Sequence, residues 1–406
     1  MQRPAGAAGR LPRVWGIVLS AGTVTAIRMG LRQGVGLYVV PVSDYLGVGR
    51  TAFGLAIAVA NIVWGLAAPV TGAMADKVGS GRVVVVGGLS TLAGILLLHQ
   101  ATSEVHLLAA GVLLGIGVAG SGVNAMVGAV GRSVAPEART QAIAAVGLGG
   151  GFGILIALPY AHLLMDWLGW RGSLLVLAAT AALILPLAIP LSGRPQPVHG
   201  EAAQGLGAAL AEALRHPSFW LLNAGFFVCG FHIVFYATHL PAYVADMGLG
   251  PEVGVIGLAV VGLGNLIGTY LAGLWGRYLS KRLGLSLIYA LRAAVFLGFL
   301  YLPITPVVVV VLSALLGVLW LSTVPLTSGL VATFFGARWM TMLYGIVFLF
   351  HQAGAFLGAW LGGVLFDTLG SYEWMWWISV ALGLLAAVVH WPIAERPVAR
   401  LAEAPR

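Results

Sequence analysis

The chain consists of long apolar runs separated by short polar breaks. The runs are roughly 20 to 30 residues long and do not alternate between apolar and polar positions. A helix needs about 20 apolar residues to cross a bilayer, whereas the strands of a membrane barrel alternate over about 10 residues. The pattern therefore predicts twelve transmembrane helices, over 14–43, 51–76, 82–101, 105–132, 139–166, 171–192, 217–246, 253–277, 283–303, 306–334, 338–366 and 371–393.

The predicted spans form two sets of six. A polar stretch at 193–216 separates residues 1–192 from residues 217–406. The loop that begins at Gly72, after span two, has a weak counterpart at Gly273, after span eight. Parallel six-helix repeats are a known transporter architecture, with the binding site near the midplane between the halves. We therefore expect an all-α membrane protein of two six-helix pseudo-repeats joined by a cytoplasmic linker.

Composition excludes a soluble fold. Hydrophobic residues make up 60% of the chain and charged residues 8%, whereas soluble domains average roughly a quarter charged residues. The lipid bilayer is the expected surrounding, because too little polar surface is available to face water. The net charge of +8 would suit nucleic acid only on a basic soluble segment, and no segment is long enough, so we expect no nucleic-acid partner.

Basic residues predict the orientation of the bundle. Lys and Arg concentrate in the cytoplasmic loops of membrane proteins. Only Arg50 and Arg171 fall on one side of the predicted spans. The other side carries Arg3, Arg10, Arg13, Lys77, Arg82, Arg132, Arg139, Arg194, Arg215, Arg277, Lys281, Arg282, Arg338, Arg396, Arg400 and Arg406. We expect a multi-pass protein of the inner cell membrane with both termini in the cytoplasm and an uncleaved first span.

Motifs for catalysis, cofactors and metals are missing from the sequence. There is no Walker A, HExxH or GxSxG pattern, and the single cysteine, Cys229, cannot form an intrachain disulfide or a Cys-rich metal site. A GxGxxG pattern at 115–120 lies inside an apolar helix, where small residues favour helix packing. The glycines at 147–153 also predict close packing or bending. We expect no enzyme activity, cofactor or metal.

The loop after span two carries a family signature. Gly72, Asp76, Gly79 and Arg82 resemble the motif Gly-x-x-x-Asp-Arg-x-Gly-x-Arg/Lys of the major facilitator superfamily, although Arg82 lies one residue later than usual. The resemblance implies a major facilitator fold and a cytoplasmic gate in which the acid pairs with a base at a neighbouring helix end. The candidate bases are Arg132 and Arg139. The alternative is a turn with a topogenic cluster of positive charge.

A narrower resemblance covers most of the chain. The segments 30–37, 231–241, 319–328 and 351–359 are similar to the bacterial branch related to monocarboxylate transporters. This resemblance implies transport of a small organic anion, a monocarboxylate, by symport with a proton or without one. The acid and lysine that animal carriers of this kind use within their spans are missing here.

Three arginines fall at membrane depth without a nearby acid. Arg28 and Arg32 share one face of span one, and Arg292 lies near the middle of span nine. A central Arg costs about 2.5–3.5 kcal/mol on insertion scales unless it faces a cavity or a partner. We predict that Arg32, helped by Arg28, binds the anion bidentately; the alternatives are snorkelling and bonds to carbonyls. For Arg292, a structural role and substrate contact are equally favoured.

Histidines are the candidates for proton coupling. His232 and His239 share a face of span seven, and His351 lies near the middle of span eleven. An ordinary histidine titrates near about pH 6.5, but a buried histidine is more often a satisfied hydrogen-bonding residue. We predict that His232 or His351, with His239 nearer the outer end, takes part in proton coupling.

Polar residues within the spans complete the predicted site. Each alone is more often a helix-to-helix contact, worth about 0.6 kcal/mol on average. Candidates for substrate contact are Gln33, Asn61, Asn124, Tyr236, Asn265, Thr323, Thr327 and Gln352. We expect a monomeric alternating-access carrier of a small organic anion. The alternative is an exporter of a neutral or cationic drug-like compound, although no buried acid is available for a cation.

Overall fold

A computed structural model describes residues 10–122, 126, 130, 139–192, 205–336 and 340–402. Within these ranges the side chains of residues 10–14, 73, 76–78, 139–145, 206, 340, 341, 400 and 402 are not described. Every regular element of the described residues is helical, which confirms the predicted all-α fold.

The first six spans appear in the predicted order. Gly169, with φ of 67°, divides Arg139–Ala182 into two arms, which are spans five and six. Spans one to six comprise Arg10–Gly34 with the 3-10 turn Val35–Tyr38 and Val39–Leu46, then Arg50–Val78, Ser80–His99, Glu104–Gly120, and the two arms of Arg139–Ala182 continued by Ile184–Leu187.

The last six spans follow a short helix, Leu206–Leu214. Span ten differs from the prediction of one continuous run, because it is broken between Trp320 and Thr323. Spans seven to twelve are Pro217–Asp246, Pro251–Tyr278, Lys281–Tyr301, Pro306–Trp320 with Thr323–Phe335, Met340–Leu369 and Glu373–His390, and Ala399–Ala402 follows them.

The helices are long enough to cross a bilayer. In the described ranges, nine helical segments have the length and hydropathy of a membrane span. One of them, Val146–Leu187, has 42 residues, which is about 63 Å of helix at 1.5 Å per residue and is therefore two crossings bent at Gly169. The bundle is that of a multi-pass membrane protein.

Spans from the two sets of six pack directly on each other. Span two packs on span eleven, and span five packs on span eight. A small residue permits the close approach of spans two and eleven, because a Cβ on Gly54 would meet the carbonyl of Ala359. Within the first set, a Cβ on Gly149 of span five would meet the carbonyl of Gly22 in span one. The predicted close packing at the glycines of span five is thereby confirmed.

Candidate functional site

A polar cluster lies where spans one, two and eleven meet. Arg32 donates to Gln33 Oε1 at 3.0 Å and to Asn61 Oδ1 at 3.3 Å. Gln352 donates to the main-chain oxygen of Asn61 at 3.0 Å, and its Oε1 lies 2.9 Å from His351 Nδ1. We call these five residues the central cluster. It connects the first six spans with the last six.

Local structure fixes the orientation of the central cluster. Asn61 Nδ2 donates to the carbonyl of Ile57, one turn earlier, at 2.8 Å. This bond turns Asn61 Oδ1 towards Arg32. Gly65 leaves room for span eleven, because a Cβ there would approach the side chain of Gln352 to 2.9 Å. The guanidinium of Arg32 is therefore held in place before any ligand binds.

Arg28 lies one helical turn from Arg32, and its side chain is buried. The Trp64 ring lies beside both guanidinium groups, 5.9 Å from Arg28 Cζ and 5.0 Å from Arg32 Cζ. Among the described residues, Nε and Nη1 of Arg28 have no hydrogen-bond partner. The pair presents unused donors and positive charge, which is the chemistry that binds a carboxylate.

Arg292 holds the broken end of span ten. It is fully buried, and its Nη2 donates at 2.6 Å to the carbonyls of Leu319 and Trp320. Its Nη1 lies 3.3 Å from Cys229 Sγ. The last carbonyls of a helix have no partner within the helix, so Arg292 satisfies groups that the break exposes. This geometry favours the structural alternative for Arg292.

We expect Arg292→Met to destabilise the protein. Two buried carbonyls would lose their charged donor, and each unsatisfied buried polar group costs about 1–3 kcal/mol. The measurement is thermal unfolding in detergent, with Arg277→Met as the matched control because Arg277 is exposed on span eight. An Arg292→Met protein as stable as the control would contradict this account of the broken helix.

The other predicted polar residues of the last six spans surround the break. Asn265 Oδ1 accepts from the N–H of Leu321 at 2.9 Å, and Thr323 Oγ1 lies 3.4 Å from Cys229 Sγ. Thr327 is buried, with no partner for its hydroxyl among the described residues. Tyr236 pairs with Ser313 at 2.6 Å. The hydrogen bonds of the described residues do not join any of the four to Arg32, and Asn124 lies outside those residues.

The three predicted histidines occupy different environments. His232 Nε2 lies 2.9 Å from the carbonyl of Ser379, and its ring packs on Phe296 at 4.8 Å. His239 is bonded through Nε2 to the carbonyl of Ala359 at 2.8 Å. Only His351 among them belongs to the central cluster.

A second polar cluster joins the start of span two to spans seven, eleven and twelve. Arg50 donates to both carboxylate oxygens of Asp246, at 2.5 and 2.7 Å. Asp367 accepts from the N–H groups of Arg50 and Thr51 at 3.0 and 2.7 Å, and from the Thr51 hydroxyl. Tyr372 accepts from Arg50 at 3.2 Å. We call these five residues the Arg50 cluster.

Sequence reasoning missed the Arg50 cluster. The available signal was the position of Arg50, one of only two bases on its predicted side, together with Asp246 and Asp367 at nearby span ends. His239 extends the cluster, because its Nδ1 lies 3.0 Å from the hydroxyl of Tyr372. His239, the histidine predicted to lie nearer the outer end, thus contacts the cluster that joins span two to the last six spans.

The predicted gate signature is described only in part. Gly79, with φ of 96°, ends the helix of span two and separates it from span three. Gly72 is half-buried and Arg82 is exposed. The side chains of Asp76 and Arg139, and the whole of Arg132, lie outside the described residues, so the gating ion pair stays a prediction.

The sequence profile of the Major Facilitator Superfamily matches residues 21–359. The chain belongs to the major facilitator superfamily. This result confirms the resemblance seen at 72–82 and makes the protein a multi-pass membrane transporter and not an enzyme.

The curated relatives of this facilitator chain are named as transporters, and their sequence identity to it is low. Monocarboxylate transporter 13 of Bos taurus is 25% identical over 403 residues, 95% of this chain and 92% of the relative. Monocarboxylate transporter 11 of Mus musculus is 30% identical over 62% of this chain and 56% of its own length. The oxalate:formate antiporter of Oxalobacter formigenes is 24% identical over 72% of this chain and 70% of its own length. The predicted resemblance to monocarboxylate transporters is confirmed.

Solved structures confirm the major facilitator fold. A bacterial homologue of the human lysosomal transporter Spinster, in an inward-facing and occupied conformation, superposes with a TM-score of 0.70. The superposition covers 92% of this chain and 95% of the other, at 15% identity. At this identity the likeness establishes the fold alone.

Proposed function

We propose that this facilitator is a secondary carrier of a small organic anion, a monocarboxylate. The observation that carries the proposal is the pair Arg28 and Arg32, which place one buried and one half-buried guanidinium group beside Trp64. In the described residues neither arginine forms an ion pair with an acid. A bound carboxylate supplies the missing negative charge and accepts bidentate hydrogen bonds.

Transport follows from relative motion of two units. In this proposal residues 1–192 and 217–406 rock against each other around the central cluster, with 193–216 as the linker. Binding at Arg32 affects span eleven, because Asn61 bonds both Arg32 and Gln352. A ligand that displaces the Arg32 side chain therefore changes the contact between Asn61 of the first unit and Gln352 of the second. No other subunit is needed, and we propose a functional monomer.

The names of the relatives and the size of the cavity support a small cargo. Monocarboxylate transporters and an oxalate:formate antiporter are among the matching proteins. The cavity beside Arg28 has a volume of about 80 Å³, whereas drug-sized ligands occupy pockets of about 300–1,000 Å³. Both observations favour a short carboxylate over a drug-like compound.

We propose that the Arg50 cluster lies at the extracellular surface, with both termini in the cytoplasm of a bacterial cell and the chain in the inner membrane. The basic residues support this orientation, since Arg50 and Arg171 alone fall on that side. The Arg50 cluster links the two sets of spans, so the described conformation is closed to the exterior.

Proton coupling is assigned to His351 in this proposal, because its Nδ1 lies 2.9 Å from Gln352 Oε1 and Gln352 bonds Asn61 of span two. We expect His351→Gln to abolish accumulation driven by an inward proton gradient, since the glutamine amide cannot take up a proton in place of the imidazole. His232→Gln is the matched control. The measurement is uptake of a radiolabelled monocarboxylate into proteoliposomes at external pH 6 and 8. Unchanged pH-driven accumulation in His351→Gln would contradict this assignment, and unchanged accumulation in a protein that carries both His232→Gln and His351→Gln would remove both histidines from the mechanism.

Thermal unfolding with a ligand panel tests the substrate class. A ligand at 100 times its Kd stabilises the folded state by about 2.7 kcal/mol. The panel comprises short monocarboxylates, amines and neutral drugs, each tested on the wild-type protein and on Arg32→Gln. Stabilisation by monocarboxylates alone, lost in Arg32→Gln, supports the proposal. Stabilisation by amines or neutral drugs, without any by acids, overturns it.

A further inference from the structure

An apolar groove lies on the outer surface of the last six spans, where the ends of spans eight, nine and twelve meet. Its lining includes Trp275 of span eight, Leu287 and Ala290 of span nine, Val388 of span twelve, and Trp391 just after span twelve. The volume is about 740 Å³, and cavities of about 300–1,000 Å³ hold ligands in other proteins. Val388 and Trp391 are 68% and 65% exposed, so in a bilayer the groove opens towards lipid.

Hydrogen bonds within the protein fix the walls of the groove. The indole N–H of Trp275 donates to the carbonyl of Ser280 at 2.8 Å. Gly284 makes room for this ring, because a Cβ there would lie 2.6 Å from the indole nitrogen. The hydroxyl of Ser286 donates to the carbonyl of Ala387 at 2.8 Å and ties span nine to span twelve. The polar groups of these walls are therefore satisfied, and the space between the walls is apolar.

Arg282 brings a positive charge to the end of the groove, next to Leu283 of the lining. Its Nη1 donates to the carbonyls of Trp391 and Ile393 at 3.0 and 3.1 Å. None of the hydrogen bonds of the described residues uses its Nε or Nη2, and it forms no ion pair with a described acid. These two nitrogens form the planar fork that binds a phosphate group bidentately.

The charges around the groove are mainly positive. The segments 275–290 and 387–398 contain all the lining residues, and their only acid is Glu395, against the bases Arg277, Lys281, Arg282 and Arg396. Glu395 is already engaged, because its Oε1 accepts from the hydroxyl of Ser280 at 2.5 Å and from the N–H of Arg282 at 2.8 Å. The excess of positive charge favours an anionic ligand at this end of the groove.

We propose that the groove binds an anionic phospholipid of the cytoplasmic leaflet, with the phosphate on Arg282 and an acyl chain along the apolar walls. Tryptophan is enriched at the level of the lipid headgroups, which is where Trp275 and Trp391 then lie. Basic pockets between helices on the cytoplasmic side bind anionic headgroups in other membrane proteins. The inference is separate from the transported anion and rests on the proposed orientation, which places Arg282 on the cytoplasmic side.

The headgroup chemistry follows from the charges that surround Arg282. Phosphatidylethanolamine also carries a phosphate, but its ammonium group needs an acid, and Glu395 already bonds Ser280 and the main chain of Arg282. The ammonium would also lie among the bases of the two segments. Phosphatidylglycerol has the same phosphate without a positive charge, so this lipid should be preferred.

Native mass spectrometry of the detergent-purified protein tests the preference. Phosphatidylglycerol and phosphatidylethanolamine with identical acyl chains are added separately at equal concentration, and the bound lipids are counted. We expect wild type to bind phosphatidylglycerol about tenfold more tightly, and Arg282→Gln to reduce this preference to about twofold or less. Arg277→Gln is the matched control and should keep the preference, because Arg277 is exposed on span eight and does not line the groove.

A second variant fills the groove without changing any charge. Ala290 is half-buried on the lining, and a phenylalanine at this position occupies space that the acyl chain needs. We expect Ala290→Phe to lose most of the retained phosphatidylglycerol although Arg282 is intact. Thermal unfolding without added lipid verifies that each variant is folded. If Arg282→Gln does not fold, Arg282→Lys replaces it, because lysine keeps the charge but lacks the planar fork.

Three results would overturn the inference. Wild type could bind both lipids equally, or the folded Arg282 variant and Ala290→Phe could both bind phosphatidylglycerol as wild type does. Arg277→Gln could also lose the preference as fully as Arg282→Gln, which would assign the attraction to the basic surface in general and not to the groove. The experiment contains no transported acid, so none of these results bears on the substrate class.

Discussion

Replacing Arg32 by alanine is expected to lower the transport rate at limiting substrate by about 100-fold. A hydrogen bond to a charged group contributes about 1.5–3 kcal/mol, and a bidentate pair contributes more than one such bond. A loss near 2.8 kcal/mol corresponds to a factor of 100. Arg32→Lys should be nearly as impaired, because lysine lacks the planar fork that binds both carboxylate oxygens.

Uptake of radiolabelled propionate or butyrate into proteoliposomes measures the effect of Arg32→Ala. Arg171→Ala is the matched control, since it also removes an arginine of the first six spans. Arg171 lies outside the central cluster, with its Cζ 4.1 Å from the Tyr45 ring centroid and 5.2 Å from that of Trp170. Reduced uptake in both variants alike would indicate a general defect in folding. Wild-type uptake in Arg32→Ala would show that the central cluster does not bind the anion.

Removing the Arg50 side chain is expected to open the extracellular side of the carrier. Arg50 bonds Asp246 through both terminal nitrogens, lies 3.7 Å from the Phe366 ring centroid and reaches Tyr372. Arg50→Ala removes these contacts while Asp367 keeps its bonds to the start of span two. We expect the closed conformation to be destabilised by about 1–2 kcal/mol relative to the open one, which raises the ratio of open to closed molecules roughly tenfold.

A single thiol reports the opening. The chain has one cysteine, so a Cys229→Ser background lets Thr238→Cys serve as the reporter. Thr238 is buried on span seven, next to His239, which contacts Tyr372 of the Arg50 cluster. A membrane-impermeant maleimide should label it about tenfold faster in Arg50→Ala than in the reporter background or in Arg171→Ala. Equal labelling rates in all three proteins would mean that the Arg50 cluster does not keep the exterior closed.

The sequence was sufficient to predict the order and number of spans, because the length of each apolar run can be read directly from the order of the residues. It did not predict the break in span ten. A local signal was present, because Pro325 lies in the first turn of Thr323–Phe335, and its ring and missing N–H prevent the helix from continuing back through Leu321. The exposed backbone groups are satisfied by Arg292 of span nine and Asn265 of span eight, and these partners are what the local pattern does not contain.

The candidate site was predictable as a set of residues but not as a set of contacts. Arg32, Asn61 and Gln352 are conspicuous because each interrupts an apolar run. Helical periodicity assigns each of them to a face, but it does not say which neighbouring helix that face meets. The same limit explains why the Arg50 cluster was missed, since Asp246 and Asp367 are separated from Arg50 by 196 and 317 positions.

The proposed cargo is an anion held by the two arginines of span one, which have no acid partner among the described residues, so the proposed transport cycle depends on the membrane potential. Moving one elementary charge through 100 mV is worth about 2.3 kcal/mol. In the proposed orientation, an interior-negative voltage opposes entry of a lone monoanion and drives its exit. Uptake becomes electrically neutral only when one proton accompanies each anion, so currents across a voltage-clamped bilayer distinguish a uniporter that releases acids from a symporter that gathers them.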